Sequence, residues 1–227
     1  MDSGLLMQFN LAKFVLDLDF FSVGLLALLV FSVTWLFSLL MTLRFDVNSA
    51  LNDTSALLVR VKSMHDMAEV DRLVSEVKSG VGKVFFDSLV SELAGSFSDF
   101  SLEGVSLADA ATKKFFLRSV LSSRDVVVDA LCARVDRAVV AGWGVGLLSL
   151  CAILIRSLML VLSHGAMLAE GVGVDRWLFG TLLYAIIGVW GVCVTSWVCG
   201  FLKITVCSMD QQLKRLCWRV VFLSDRS

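Results

Sequence analysis

Residues 20–43 have the sequence FFSVGLLALLVFSVTWLFSLLMTL and carry no charged side chain over 24 positions. As an α-helix this stretch would be about 36 Å long, which exceeds the roughly 30 Å hydrocarbon core of a bilayer. Two further runs follow: residues 138–163 are uncharged except for Arg156, and residues 177–202 are uncharged over 26 positions. The pattern predicts an all-α membrane protein with three transmembrane helices.

The composition supports a membrane protein and excludes several other classes. Hydrophobic residues make up 57% of the chain and charged residues only 18%, a more apolar balance than that of a typical soluble domain. The net charge of -1 gives no reason to expect a nucleic-acid partner. The six cysteines form no C-x-x-C pair and only two histidines are present, so we expect neither a metal site nor a cofactor. The sequence has no phosphate-binding glycine loop and no nucleophile–base pairing near the spans, so we expect no enzyme and no catalytic residue.

Lysine and arginine are distributed unevenly around the three predicted spans. Residues 1–19 and 164–176 contain one basic residue each, whereas residues 44–137 contain twelve and residues 203–227 contain five. Because segments on the cytoplasmic side are enriched in Lys and Arg, we predict an amphipathic outside segment at 1–19 and an outside loop at 164–176. Residues 44–137 should form a helical cytoplasmic domain, and residues 203–227 a helical cytoplasmic tail.

Within the cytoplasmic segment, the spacing of apolar residues predicts several helices. Residues 53–78 repeat apolar side chains every three or four positions, which is typical of an amphipathic helix, and the glycines at 80 and 82 should end it. A shorter helix is predicted at 83–93, followed by a turn region at 94–104 that is rich in Gly and Ser. Ser106 has the position of an N-cap.

The helices around the second and third spans should continue beyond the bilayer. The chain contains no proline, and no other helix-breaking signal separates the helix that follows Ser106 from the second span. We therefore predict one continuous helix that enters the membrane there. A second continuous helix should leave the third span through Lys203 toward Leu216.

Small residues in the second and third spans predict close helix packing, because small side chains let helix backbones approach one another in lipid. The first span is rich in leucine instead, and we expect it to face lipid. The second and third spans should line a protein interior, either between subunits or only against each other within one subunit. The predicted packing residues are Ala138, Gly142, Gly146, Gly188, Gly191 and Gly200.

Arg156 interrupts the second apolar run, and a guanidinium at the centre of a bilayer costs a few kcal/mol on insertion scales. One interpretation is that Arg156 faces a pore or pairs with the carboxylate of a partner inside the membrane. The other is that the span ends near Ile155 and the side chain reaches the outer interface. The run that follows Arg156, residues 157–162, is still apolar and slightly favours the deeper position, but both interpretations stay open.

Several short segments match one family in their order along the chain. Residues 31–35 (FSVTW) are similar to an F-S-I-A-S-W stretch of a first span, and residues 84–93 stand where that family has an aromatic-rich cytoplasmic helix. Residues 142–146 fall at its glycine-rich entry to the second span, and residues 185–188 (AIIG) are similar to an A-T-A-I-G stretch of the third. Residues 210–216 resemble the basic helix that follows. In this arrangement the chain resembles the MotA/TolQ/ExbB proton-channel family, and its TolQ members most closely.

The resemblance implies the channel or stator subunit of a motor driven by the proton-motive force, of the Tol-Pal type, in the bacterial inner membrane. It implies a ring of five copies around two copies of a single-span TolR/ExbD-like partner, whose membrane aspartate takes up the proton. This subunit would supply a polar wall for the ion path. The side chains available for that wall are Ser149, Arg156, Ser157, Thr181, Thr195 and Ser196.

Four positions depart from the family pattern. The prolines of the family's second and third spans fall at Ser149 and Val194 in an ungapped placement. The threonines that line the family's ion path fall at Arg156 and Ala185 in an ungapped placement, so neither is kept. The alternative hypothesis is therefore a non-conducting membrane scaffold or assembly protein that has kept the fold and lost the path. For most of the hydroxyls, the alternative to a role in the path is a bond to the helix's own backbone.

Overall fold

A computed structural model describes residues 20–77, 79–94, 110–164 and 174–224. Within these residues 97% of the chain is helical and no strand is present, so the predicted all-α class is confirmed. The helices are α1 (Phe20–Ser63), α2 (Met67–Glu76), α3 (Gly80–Ala94), α4 (Ala110–His164) and α5 (Val174–Ser224). Three of them, α1, α4 and α5, are long and apolar enough to cross a membrane, which is the predicted number.

Several predicted features lie outside the described residues. They are the amphipathic segment at 1–19, most of the turn region predicted at 94–104, the N-cap at Ser106 and residues 165–173 of the outside loop predicted at 164–176. The remaining residues of the two predicted segments are helical: Ala94 ends α3, His164 ends α4 and residues 174–176 begin α5.

The predicted amphipathic helix at 53–78 is wrong in both of its bounds. The helix α1 continues unbroken from the first apolar run to Ser63, and a new helix begins at Met67. The break is caused by a capping arrangement: the Asp66 side chain accepts a hydrogen bond from the Glu69 backbone N–H (3.0 Å). In return, the Glu69 carboxylate accepts one from the His65 backbone N–H (2.8 Å). The spacing of apolar residues does not reveal such a break, because both helices bury their apolar faces in the same core and the repeat continues from one to the next.

The glycine pair at 80 and 82 begins a helix and does not end one. Gly80, the first residue of α3, has a φ of +80°, a backbone conformation that L side chains rarely adopt. The carboxylate of Asp53 occupies the space where a Cβ of Gly80 would lie. The helix predicted at 83–93 is therefore present, and it starts three residues earlier than expected, because this turn directs the chain from α2 straight into α3.

The predicted continuity of the helices through the second and third spans is confirmed. The helix α4 has 55 residues and α5 has 51, so each is about 80 Å long. Since a bilayer core is about 30 Å thick, each helix is more than twice as long as a straight crossing requires.

The chain forms two compact units. The first contains the described residues of Met1–Ser38 and Val140–Ser196, and the second those of Leu39–Val139 and Trp197–Ser227. The first unit holds most of the three apolar runs. The core of the second unit is made of fully buried apolar side chains from α1 to α5, among them Val47, Val61, Phe85, Phe86, Leu89, Phe116, Val120, Leu213, Leu216 and Val220.

Candidate functional site

In the first unit, α4 and α5 approach each other at glycines. A Cβ added at Gly142 would lie 2.6 Å from the Cβ of Thr195, and one added at Gly146 would lie 2.6 Å from a methyl group of Val192. Carbon atoms normally pack about 3.5–4.0 Å apart. Both positions therefore allow a close approach that a larger side chain would prevent.

The same arrangement occurs in the opposite direction, with glycines of α5 facing side chains of α4. A Cβ at Gly188 would lie 2.6 Å from the Ser149 hydroxyl oxygen, and one at Gly191 would lie 3.1 Å from Val145. The structure thus brings four of the six predicted packing residues to one contact. Gly200 takes no part in it, because an added Cβ would meet nothing within 4 Å. Ala138, in the second unit, is fully buried.

The hydroxyls considered for an ion path are mostly bonded to backbone carbonyls. Ser149, which is buried, donates to the Tyr184 carbonyl across the two helices. Within single helices, Thr195 donates to Gly191 (2.6 Å), Ser157 to Ile153 (2.8 Å) and Thr181 to Leu178 (2.8 Å). The exposed one is Ser196.

Arg156 lies against α5. Its guanidinium occupies the space where a Cβ of Gly180 would be, and its Cζ lies 5.8 Å from the centre of the Tyr184 ring, within cation–π range. Arg156 is 18 residues beyond Ala138, the start of the predicted span, which is about 27 Å along the helix. A straight span that begins at Ala138 and crosses a core of about 30 Å would end close to Arg156, so the depth of this side chain stays a prediction.

Tyr184 is a residue of the contact that the sequence interpretation missed. It is the single tyrosine of the chain, its side chain is only 2% exposed, and it lies between Ser149 and Arg156. A signal was present, because Gly180, Tyr184 and Gly188 recur at four-residue spacing and so share one face of α5. Glycines on either side of a large aromatic ring leave room for groups from the neighbouring helix.

An apolar groove of about 410 Å³ runs beside this contact. Exposed apolar side chains such as Trp143, Leu147 and Leu150 from α4 and Val189 from α5 line it, together with the buried Ser149. In lipid, such a groove suits an acyl chain or the side chains of another helix.

In the second unit, ion pairs join the extensions of α4 and α5. The Arg124 guanidinium donates to Asp210 (2.6 Å), and the Lys214 ammonium lies 3.0 Å from the other oxygen of that carboxylate. Burial alone would raise the pKa of Asp210, but the hydrogen bonds from Arg124 and Lys214 outweigh it and lower the pKa below 3.8. The carboxylate is therefore ionised, and it ties α4 to α5 outside the apolar runs. The sequence interpretation did not find this pair, because its members are 86 positions apart.

Two further contacts fasten α5 in the second unit. Arg219 donates to the carbonyls of Lys62 (3.3 Å) and Met64 (3.1 Å), which lie at and just beyond the end of α1. The Cys217 thiol lies 3.7 Å from the Val120 carbonyl, and burial raises the pKa of that thiol to about 12. Cys217 therefore behaves as a small buried side chain.

The cysteines, histidines and carboxylates do not cluster anywhere in the described ranges. No group of three or more of them lies close enough there to hold a metal ion, and all six cysteines are free. No family model, curated protein or solved structure matches this chain.

Proposed function

We propose that the chain is the channel subunit of a proton-driven cell-envelope motor, of the TolQ type within the MotA/TolQ/ExbB family. The observation that carries the proposal is the unbroken course of α4 and α5 over 55 and 51 residues. Each helix contains one apolar run and a long charged extension. A displacement of either helix within the membrane is therefore passed along the same helix to its extension.

The pairing of the extensions supports a mechanical role. The Arg124–Asp210 pair joins α4 to α5 in the second unit, and the Lys203–Asp136 pair (2.8 Å) joins them again. Because the Arg124 and Asp210 side chains are only 17% and 14% exposed, solvent weakens this pair less than it weakens a surface pair. The two extensions therefore move together.

In this proposal, the contact between α4 and α5 holds the subunit together and the ion path lies elsewhere on the same helices. Ser149 and Thr195 are buried in the contact, whereas Ser196 is exposed and Thr181 is partly exposed. Ser196 is thus the hydroxyl best placed to face another subunit or a single-span partner of the TolR/ExbD kind. A ring of five subunits around such a partner in a bacterial inner membrane is part of the proposal, with the N-terminus outside and the C-terminus in the cytoplasm.

A second candidate function is a non-conducting scaffold with the same fold. The specific observation in its favour is that Ser149, Ser157 and Thr195 all donate their hydroxyl hydrogens to carbonyls of the chain itself. In addition, Arg156 places a permanent positive charge in the first unit, and a fixed cation in a pore repels protons and other cations.

Proton flux distinguishes the two functions. The complex is purified through a tag on this chain and reconstituted into liposomes that contain a pH-sensitive dye, and a potassium diffusion potential drives the flux. The motor proposal predicts that liposomes with the wild-type complex acidify faster than empty liposomes. Relative to the wild type, the acidification rate should be lower for Ser196→Ala and unchanged for the matched α1 variant Ser32→Ala. If the complex assembles with its full helix content but its liposomes acidify no faster than empty ones, the motor proposal is refuted and the scaffold function stands.

A further inference from the structure

The three long helices change from uncharged to charged sequence at cations. Arg44 directly follows the first uncharged run, Arg137 directly precedes the second and Lys203 directly follows the third. All three residues belong to the second unit. We refer to Arg44, Arg137 and Lys203 as the collar.

Two ion pairs place the collar residues at one level along the helices. The Arg134 guanidinium lies 3.2 Å from Asp46, which joins α4 to α1, and the Lys203 ammonium lies 2.8 Å from Asp136, which joins α5 to α4. Arg44 is two positions from Asp46, and Arg137 is one position from Asp136. Because one helical turn rises about 5.4 Å, the three collar residues lie within about one turn of each other.

The charges at this level do not balance. The carboxylates of Asp46 and Asp136 are paired with Arg134 and Lys203. In the described part of the chain, Arg44 and Arg137 are exposed and form no ion pair. The guanidinium of Arg137 donates only to the Ala133 carbonyl of its own helix (3.3 Å). Two positive charges at this level are therefore left without an acidic partner.

Exposed apolar side chains flank the collar cations. Phe45, beside Arg44, is 74% exposed, and Met41, one helical turn before it on the same side, is 51% exposed. Next to Lys203, Ile204 is 70% exposed and Phe201 is 57% exposed. A cation beside exposed apolar groups matches the boundary of a bilayer, where headgroup phosphates lie directly above acyl chains.

We propose that the collar binds the phosphate groups of anionic phospholipids at the membrane face where the three helices leave the bilayer. Arg44 and Arg137 supply the unbalanced charge, and a guanidinium can bind two phosphate oxygens at once. The neighbouring aromatic and aliphatic side chains contact the first carbons of the acyl chains. This binding fixes the depth of the helices in the membrane, and it does not depend on proton conduction.

The test uses the full chain reconstituted in phosphatidylcholine bilayers with spin-labelled phosphatidylglycerol or spin-labelled phosphatidylcholine. The measured quantity is the association constant of the first label relative to the second. A basic residue at an anionic surface contributes about 1 kcal/mol to the binding of an anionic lipid, which corresponds to about fivefold in the association constant. The double variant Arg44→Gln with Arg137→Gln should therefore lower this ratio by about fivefold for each arginine removed.

A matched control removes the same charge farther from the membrane. Arg118 precedes Arg137 on α4 by 19 positions, or about 28 Å, and Arg215 follows Lys203 on α5 by 12 positions, or about 18 Å. Both are exposed, and the variant Arg118→Gln with Arg215→Gln should keep the wild-type ratio. The variant Arg44→Lys with Arg137→Lys should also keep most of the preference, which separates loss of charge from loss of folding.

Three results would overturn the proposal. The first is a wild-type chain without preference for phosphatidylglycerol, and the second is an equal loss in the collar and control variants. The third is displacement of the labelled lipid by inorganic phosphate at constant ionic strength, which would mean that the collar binds a soluble anion. Proton flux is not a readout of this experiment, so its outcome is independent of the proposed motor function.

Discussion

Replacing Gly142 by alanine tests the contact between α4 and α5 most sharply. The added methyl group would lie 2.6–2.7 Å from three atoms of the Thr195 side chain. Thr195 is only 1% exposed and its hydroxyl is bonded to the Gly191 carbonyl, so the side chain has no room to turn away. The helices would have to separate by about 1 Å to restore normal carbon contacts.

The expected cost follows from measurements on overpacked cores. Insertion of a methyl group into a well-packed interior typically costs about 1–3 kcal/mol. Gly→Ala in a helix also gains about 0.5–1 kcal/mol from backbone entropy. The control Gly144→Ala has the same entropy gain without the clash, because Gly144 lies on the same helix and its added Cβ would meet nothing within 4 Å. The gain therefore drops out when the two variants are compared. The difference between the two variants is therefore the packing term alone, about 1–3 kcal/mol.

The measurement is the free energy of unfolding of both variants in the same lipid mixture, by steric trapping or by reversible unfolding in detergent. Gly144→Ala should be at least as stable as the wild type, and Gly142→Ala should be less stable than Gly144→Ala by about 1–3 kcal/mol. Equal stabilities would refute the close contact between Gly142 and Thr195.

Three further substitutions test the second unit by detergent unfolding. Asp210→Asn should lower the free energy of unfolding by about 2 kcal/mol, because Arg124 loses a charge-assisted hydrogen bond. The pKa of Asp210 is lowered from 3.8, so the stabilisation of the fold by this carboxylate is complete above that pH and is lost as the pH falls below it. The Asp210→Asn variant should lack this dependence of stability on pH. Arg219→Gln should cost about 1 kcal/mol, because the carbonyls at the end of α1 lose their donor. Gly80→Ala should cost at least about 1 kcal/mol, because φ is positive there and the Asp53 carboxylate occupies the space.

Each of these predictions has a result that would contradict it. Asp125 also lies near Arg124 (3.1 Å), but its side chain is 58% exposed, so Asp125→Asn should have little effect. If Asp125→Asn lowers the free energy of unfolding as much as Asp210→Asn does, the Arg124–Asp210 pair is not what stabilises the second unit. One nitrogen of Arg219, Nη2, donates both bonds to the end of α1, and full stability in Arg219→Gln would refute the capping role. A Gly80→Ala variant that unfolds like the wild type would mean that the turn before α3 has a different backbone conformation.

The membrane helices could be predicted from the sequence because their signal is local. An uncharged run of 24 residues is sufficient to predict a span. The continuity of α4 and α5 followed from the absence of proline. The end of α1 was missed because the break at Asp66 depends on hydrogen bonds to Glu69, while the apolar repeat continues across it. A capping pair of this kind is short and is easily overlooked within a strong periodic pattern.

The candidate site was predictable only in part, because its contacts join distant segments. Glycines at four-residue spacing indicated that two spans pack closely, but not which side chain each glycine faces. The bond from Ser149 to the Tyr184 carbonyl and the position of Arg156 against Gly180 depend on the register between α4 and α5. That register arises from the packing of the whole contact, and no single motif encodes it.

The most direct test of the central claim is the composition of the assembled complex, determined by native mass spectrometry after extraction from its own membranes through a tag on this chain. The motor proposal predicts a particle with five copies of the chain that retains a small single-span protein with a carboxylate in its membrane segment. A monomer or dimer with no bound partner would contradict the proposal and leave the scaffold function.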